Sequence, residues 1–169
     1  KETLHYEASV SKSVTSLVLG IAKDKGFISN TDEKISTFFP QYDSLFTGKK
    51  ADLTLKHLLT MSSGIDFDED KIPLSNPQND LIQLFTSDNP IYYILSKQLF
   101  FTPGSRFHYC SGNTNLLGEV IKYETNKNLL QFTTENLFRP MDITDFKWET
   151  LKGDCYFASG GLWLTTRDL

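Results

Sequence analysis

The sequence predicts a mainly helical domain spanning residues 1–169. Apolar residues recur three and four apart through most of the chain, the spacing of one helix face. Those stretches are bracketed by helix punctuation, with Asn or Thr in front and Gly or Pro behind. Runs that alternate in the β manner are scarce. The clearest β-friendly stretch is the closing "CYFASGGLWLTTRDL", which pairs a glycine turn with "LWLTT".

The first helix is expected from near Ser9 to about Lys25, with Val10, Val14, Leu17, Val18 and Ile21 on its inner face and Gly26 as its stop. "TDEKISTFF" reads as a short helix capped by Thr31 and ended by Pro40. "LTLKHLLTM" reads as a third, with Leu55, Leu58 and Leu59 inward and Gly64 closing the turn behind it. "IDFDEDKIPLSNPQND" is acidic and rich in turn residues, and reads as a surface loop. "DLIQLFTS" and "NPIYYILSKQL" are helical, the second capped by Asn89 with Pro90 in its first turn. "FTPGSRFHY" is a turn feeding a short extended piece. A helix follows from Asn113 to about Thr125, marked by Leu116, Leu117, Val120 and Ile121. "NLLQFTTENLF" supplies the last one, stopped before Pro140. No internal repeat or low-complexity tract interrupts this order.

Composition narrows the function. A formal net charge of -4 gives no reason to expect a nucleic-acid or anionic-membrane partner. The longest apolar stretch, Leu17 to Ala22, is far too short to span a bilayer. Cys110 and Cys155 read as free, packed thiols, and no CxxC, HExxH or Cys/His cluster points to a metal. No cofactor is expected. The acidic "DFDED" run lacks the glycine and closing glutamate of a calcium loop. Gly160 and Gly161 read as a tight turn or a close backbone approach.

The stretch "ASVSKSVTSLVLG" carries the chemistry. Ser9 and Lys12 are three apart, so on a helix they share one face. A helix N-terminus offers free N–H groups and partial positive charge to a developing anion. A partly desolvated lysine loses its proton more readily than a surface one. Lys12 can then take the Ser9 proton and turn the hydroxyl into a nucleophile. Standing alone, Ser-x-x-Lys more often describes a capping serine followed by a solvated lysine. Its setting in a strongly apolar helix is what favours the chemical reading. No G-x-S-x-G accompanies the scattered His5, His57 and His108, so a Ser-His-Asp enzyme is not indicated. His57 reads as a packing or surface residue, and His108 as pointing away from Tyr109 on extended backbone.

With those residues in view, the chain resembles the serine β-lactamase-like hydrolases, in particular the branch of class C β-lactamases, esterases and 6-aminohexanoate-dimer hydrolases. "ASVSKSVTSLVLG" is similar to their nucleophile helix, and Ser-x-x-Lys is their nucleophile motif. "LTLKHLLTMSSGIDF", "FTPGSRFHYCSGNTNLLGEVI", "LFRPMDITDFKW" and "ASGGLWLTTRDL" resemble later segments in the right order. The resemblance implies that Ser9 is acylated, that Lys12 is its base and that Tyr109 relays protons to the leaving group. Ser111 falls at a substrate-binding position where many members carry asparagine. This departure tilts the expectation from β-lactams towards small esters and amides as the substrate class.

The same resemblance implies the helical region of an α/β β-lactamase/transpeptidase-like fold, with the central antiparallel sheet largely missing from a single partial domain. The family's third motif, Lys or His two residues before a glycine, is matched at none of the ten glycines. The chain is therefore expected to be a piece of something longer, and any export signal would lie upstream of Lys1. A catalytically incompetent fragment, or a non-catalytic binding protein of the same fold, stays open beside the hydrolase reading.

Overall fold

Three short strands and a set of helices surround one continuous apolar core in the computed structural model, which describes residues 3–169. Strand β1 is Leu4–Tyr6, β2 is Phe146–Trp148 and β3 is Leu162–Thr165. They form an antiparallel sheet in the order β1-β3-β2, with Tyr6 opposite Trp163 and Trp148 opposite Leu162. The chain's first and last strands are thus neighbours. Only the β3 region was legible as strand beforehand, since three-residue strands carry too few side chains to show alternation.

Helix α1, Ser11–Asp24, follows β1 through a 3-10 turn, Ala8–Val10. Its buried face differs from the expected one. Val18 is buried as predicted, but Val10 is 45% and Leu17 55% exposed. Ser11, Thr15, Leu19 and Ala22 are buried instead. The hydroxyls explain the exchange. Thr15 Oγ1 donates to the Ala158 carbonyl at 2.9 Å, and Ser11 Oγ donates to Ala8 O at 2.7 Å while accepting from Leu162 N at 3.2 Å. These bonds turn the polar stripe of α1 towards the chain around β3.

The next helix is shorter than expected: α2 is Ile35–Phe38, because Thr31 and Asp32 form a turn instead of a cap. Glu33 anchors that turn by accepting from the backbone of Ser29 and Asn30. Pro40 ends α2 but opens a 3-10 segment, Pro40–Leu45. Helix α3, Leu55–Leu59, places Leu55 and Leu58 in the core. His57 is a capping residue here: its Nδ1 accepts from the Thr54 backbone N–H at 3.2 Å. Gly64 adopts a φ of +77°, and a Cβ there would lie 2.3 Å from the Phe101 carbonyl oxygen, so the turn after α3 excludes side chains.

Helices α4, Asp80–Thr86, and α5, Pro90–Ser96, are capped by Asn79 and Asn89, whose side chains accept from Leu81 N and Tyr92 N. Helix α6, Ser111–Thr125, runs through the centre, packed against α1, α2, α3, α5 and α7. Gly118 lets α6 approach the chain before β3, since a Cβ would stand 2.9 Å from the Ala158 Cβ. Helix α7, Leu129–Thr133, opens on Asn128 and continues through a π-helical turn, Thr134–Phe138, into a 3-10 turn that contains Pro140. Cys110 and Cys155 are free and buried. No helix among the described residues is long and apolar enough to cross a membrane.

Candidate active site

Ser9 sits in the 3-10 turn immediately ahead of α1, preceded by Ala8 at a φ of +42°. That left-handed conformation is costly for a residue with a Cβ, and backbone strain of this kind concentrates at functional positions. One helical turn later, half-buried Lys12 reaches back along the same face. Its Nζ lies 3.0 Å from Ser9 Oγ and donates to the Ser159 carbonyl at 2.8 Å.

Tyr109 arrives from the other side. It ends the extended piece before α6, and its Oη donates to Ser9 Oγ at 2.8 Å. Lys12 Nζ stands 4.9 Å from the centre of the Tyr109 ring, a cation–π distance. The neighbouring His108 points elsewhere, with Nε2 3.1 Å from the Phe67 carbonyl, as the alternation of extended backbone requires. Ser9, Lys12 and Tyr109 therefore meet at one oxygen, although 100 residues separate the first from the last.

The supports of this cluster are polar and buried. Asn115 is fully buried in α6; its Nδ2 donates to Ser159 Oγ at 3.1 Å and its Oδ1 accepts the Ser159 N–H at 3.2 Å. Ser159, so held, presents the carbonyl that Lys12 uses. Ser111 is buried at the start of α6, and its Oγ donates to Glu69 Oε1 at 2.9 Å. A cleft of about 340 Å³ lies beside Lys12, walled by Leu58, Leu59, Met61, Thr114 and Leu117. A larger depression of about 850 Å³, lined by Lys122, Tyr123, Asn128, Asp154 and Tyr156 among others, shares no residue with the cluster.

A sequence model described as Beta-lactamase matches residues 1–168. The chain belongs to the beta-lactamase family. Among curated relatives, Protein flp of Staphylococcus aureus strain MW2 is 29% identical over 157 residues, covering 89% of this chain and 30% of that protein. A putative 6-aminohexanoate-dimer hydrolase from Bacillus anthracis superposes with a TM-score of 0.80 at 21% identity, over 99% of this chain and 46% of that one. A putative beta-lactamase from Bacteroides dorei DSM 17855 superposes with a TM-score of 0.74 at 25% identity, over 99% and 48%. The chain thus spans under a third of that curated relative and about half of these solved structures. The beta-lactamase-like fold accounts for the helices and the β1-β3-β2 sheet together.

Three residues at the cluster escaped the reading of the sequence. Asn115 and Ser159 carried one signal between them: an asparagine on the inner face of an apolar helix needs a partner. The acidic, turn-forming neighbours of Glu69 predict a surface loop. The loop does run along the surface, but Glu69 itself turns inward.

Proposed function

We propose that this chain carries the catalytic serine of a hydrolase that cleaves small esters or amides through an acyl-enzyme on Ser9. One observation carries the reading: Ser9 Oγ is the shared hydrogen-bond partner of Lys12 Nζ at 3.0 Å and Tyr109 Oη at 2.8 Å. Membership of the beta-lactamase family supports it, and so does the amide-cleaving name of the Bacillus anthracis neighbour.

In the proposed reaction, the neutral Lys12 amine takes the Ser9 hydroxyl proton as Oγ attacks the substrate carbonyl carbon. A backbone N–H group at the start of the helical segment would stabilise the oxygen on which negative charge develops. Collapse of the tetrahedral adduct breaks the bond to the leaving oxygen or nitrogen. Tyr109 gives that atom a proton and recovers one from Lys12. Water then attacks the acyl carbonyl, a proton passes back through the same groups, and Ser9 is released. The Ser159 carbonyl keeps the Lys12 amine directed at Ser9 throughout. The apolar wall of Leu58, Leu59, Met61 and Leu117 suits a small hydrophobic acyl group.

The test is incubation of the protein with an activated ester and with a fluorescent penicillin, followed by mass analysis of the Ser9 peptide. An adduct on Ser9 that disappears in Ser9→Ala, and does not form in a folded Lys12→Ala variant, is the expected result. Labelling at another residue, or full turnover by Lys12→Ala, refutes the assignment.

A further inference from the structure

The depression of about 850 Å³ that shares no residue with the Ser9 cluster has two walls. The first is the corner between α6 and α7. Asn126 ends α6 in the left-handed conformation, at a φ of +54°, and Asn128 then opens α7. The capping box of α7 uses the carbonyl ends of two amides. Asn128 Oδ1 accepts the Gln131 N–H at 2.8 Å, and Gln131 Oε1 accepts the Asn128 N–H at 3.1 Å. Each amide therefore keeps its NH2 group for a partner outside the cap, and both residues line the depression. On the last turn of α6, the half-exposed Tyr123 ring stands edge-on to Phe38, with 6.1 Å between ring centres, which holds it in place.

The second wall is the chain between β2 and β3. Thr150 and Tyr156 pair antiparallel, and Gly153 and Asp154, both at positive φ, turn the chain between them. Residues on paired extended chain alternate sides. Leu151 and Cys155 are buried on the inner side, so Thr150 and Tyr156 face the opposite way, into the depression. Asp154 adds a carboxylate to the lining, and Lys122, 3.8 Å from Glu119, adds one cation.

This lining selects a ligand chemistry. Its volume is that of a small-molecule site. An apolar ligand would strip water from amides, a hydroxyl and a carboxylate without replacing their hydrogen bonds, a cost for each group. A multiply charged anion would meet a single lysine opposed by Asp154. A sugar matches every part. Its hydroxyls can donate to the carboxylate and accept from the amide NH2 groups, while its C–H faces lie against the tyrosine rings.

We propose that the depression between the α6–α7 corner and the 150–156 hairpin is a binding site for a neutral oligosaccharide. The site is separate from Ser9 and does not depend on the hydrolase reading.

The test is titration of the isotope-labelled protein with maltotriose, cellotriose and triacetylchitotriose, followed by NMR of the side-chain amides. The Asn128 and Gln131 NH2 signals should shift saturably with at least one of these sugars. Asn128→Asp and Gln131→Glu keep the capping oxygens and exchange only the NH2 donor for a carboxylate oxygen, so the urea midpoint should hold. Affinity for that sugar should fall about tenfold in each, the loss of one hydrogen bond to the ligand. Absence of a shift with all three sugars overturns the proposal, as does a shift centred on the cleft beside Lys12. Tighter binding of inorganic phosphate than of any sugar, or undiminished sugar affinity in both variants, also overturns it. Failure of Ser9 to acylate counts against the hydrolase reading alone, since the wild-type sugar titration needs no turnover.

Discussion

Asn115 and Ser159 hold each other twice, one amide group of α6 clasping both the hydroxyl and the backbone N–H of a residue 44 positions away. The clasp matters because the Ser159 carbonyl receives Lys12. Asn115→Ala would leave the buried N–H of Ser159 unpaired and open space in the central helix. Destabilisation of about 2–3 kcal/mol is expected, read as a lower urea midpoint at unchanged slope. Ser9 acylation should slow as well, because the lysine loses its fixed acceptor. A variant as stable as the wild type would mean that the clasp is replaced by water.

Ala8 makes the opposite kind of prediction. Its φ of +42° is one that glycine adopts without the steric conflict of a Cβ, and the residue is exposed, so little packing is lost on substitution. Ala8→Gly should raise stability, or at worst leave it unchanged, since relief of about 1 kcal/mol of strain offsets the greater freedom of the unfolded chain. Thermal unfolding measures it. A clear drop in Tm would show that the Ala8 methyl makes a contact worth more than the strain it causes.

Asn89 and Pro90 were legible as a helix start because capping is local: a side chain meets a backbone group three residues on. The Ser9–Lys12 pairing was legible for the same reason, as one helical turn. The inner face of α1 was not. Thr15 and Ser11 are buried because their hydroxyls meet Ala158 and Leu162, more than 140 residues away, and hydrophobic periodicity carries no record of such partners. Glu69 failed in the same way, since its inward turn depends on Asn79 and Asp80. Strands β1 and β2 owe their existence to pairing with β3, a tertiary event that three residues cannot announce.

Glu119 offers a stability test with a definite sign. It lies on α6 with its side chain largely buried, 3.8 Å from Lys122. Burial raises its carboxyl above the ordinary range, and Lys122 and the Cys155 thiol offset this only in part. The folded protein therefore binds this proton more tightly than the unfolded chain does. The group's stabilising contribution is fully present below the unfolded value, near 4.3, and is lost as pH rises through the folded value. Glu119→Gln, which cannot ionise, should gain stability over the wild type progressively as pH rises above about 4 and through the raised folded value. Urea unfolding across that window measures the gain. A difference independent of pH would mean that Glu119 titrates alike in both states.

The proposed role of Tyr109 as proton donor predicts a difference between leaving groups. Its Oη meets Ser9 Oγ at 2.8 Å, within reach of whatever atom departs from the acyl carbon. An amide nitrogen or an alkoxide needs a proton in order to leave, whereas an activated phenolate leaves without one. Tyr109→Phe keeps the ring beside Lys12 and removes only the hydroxyl. Amide and alkyl-ester cleavage should fall by roughly 10²–10⁴, the usual range for general acid–base catalysis. Acylation by an activated aryl ester should fall far less. The comparison is internal to one folded variant, so a general loosening of the site would slow both substrates alike. An equal loss for both would remove Tyr109 as the proton donor and leave it the smaller role of orienting Ser9.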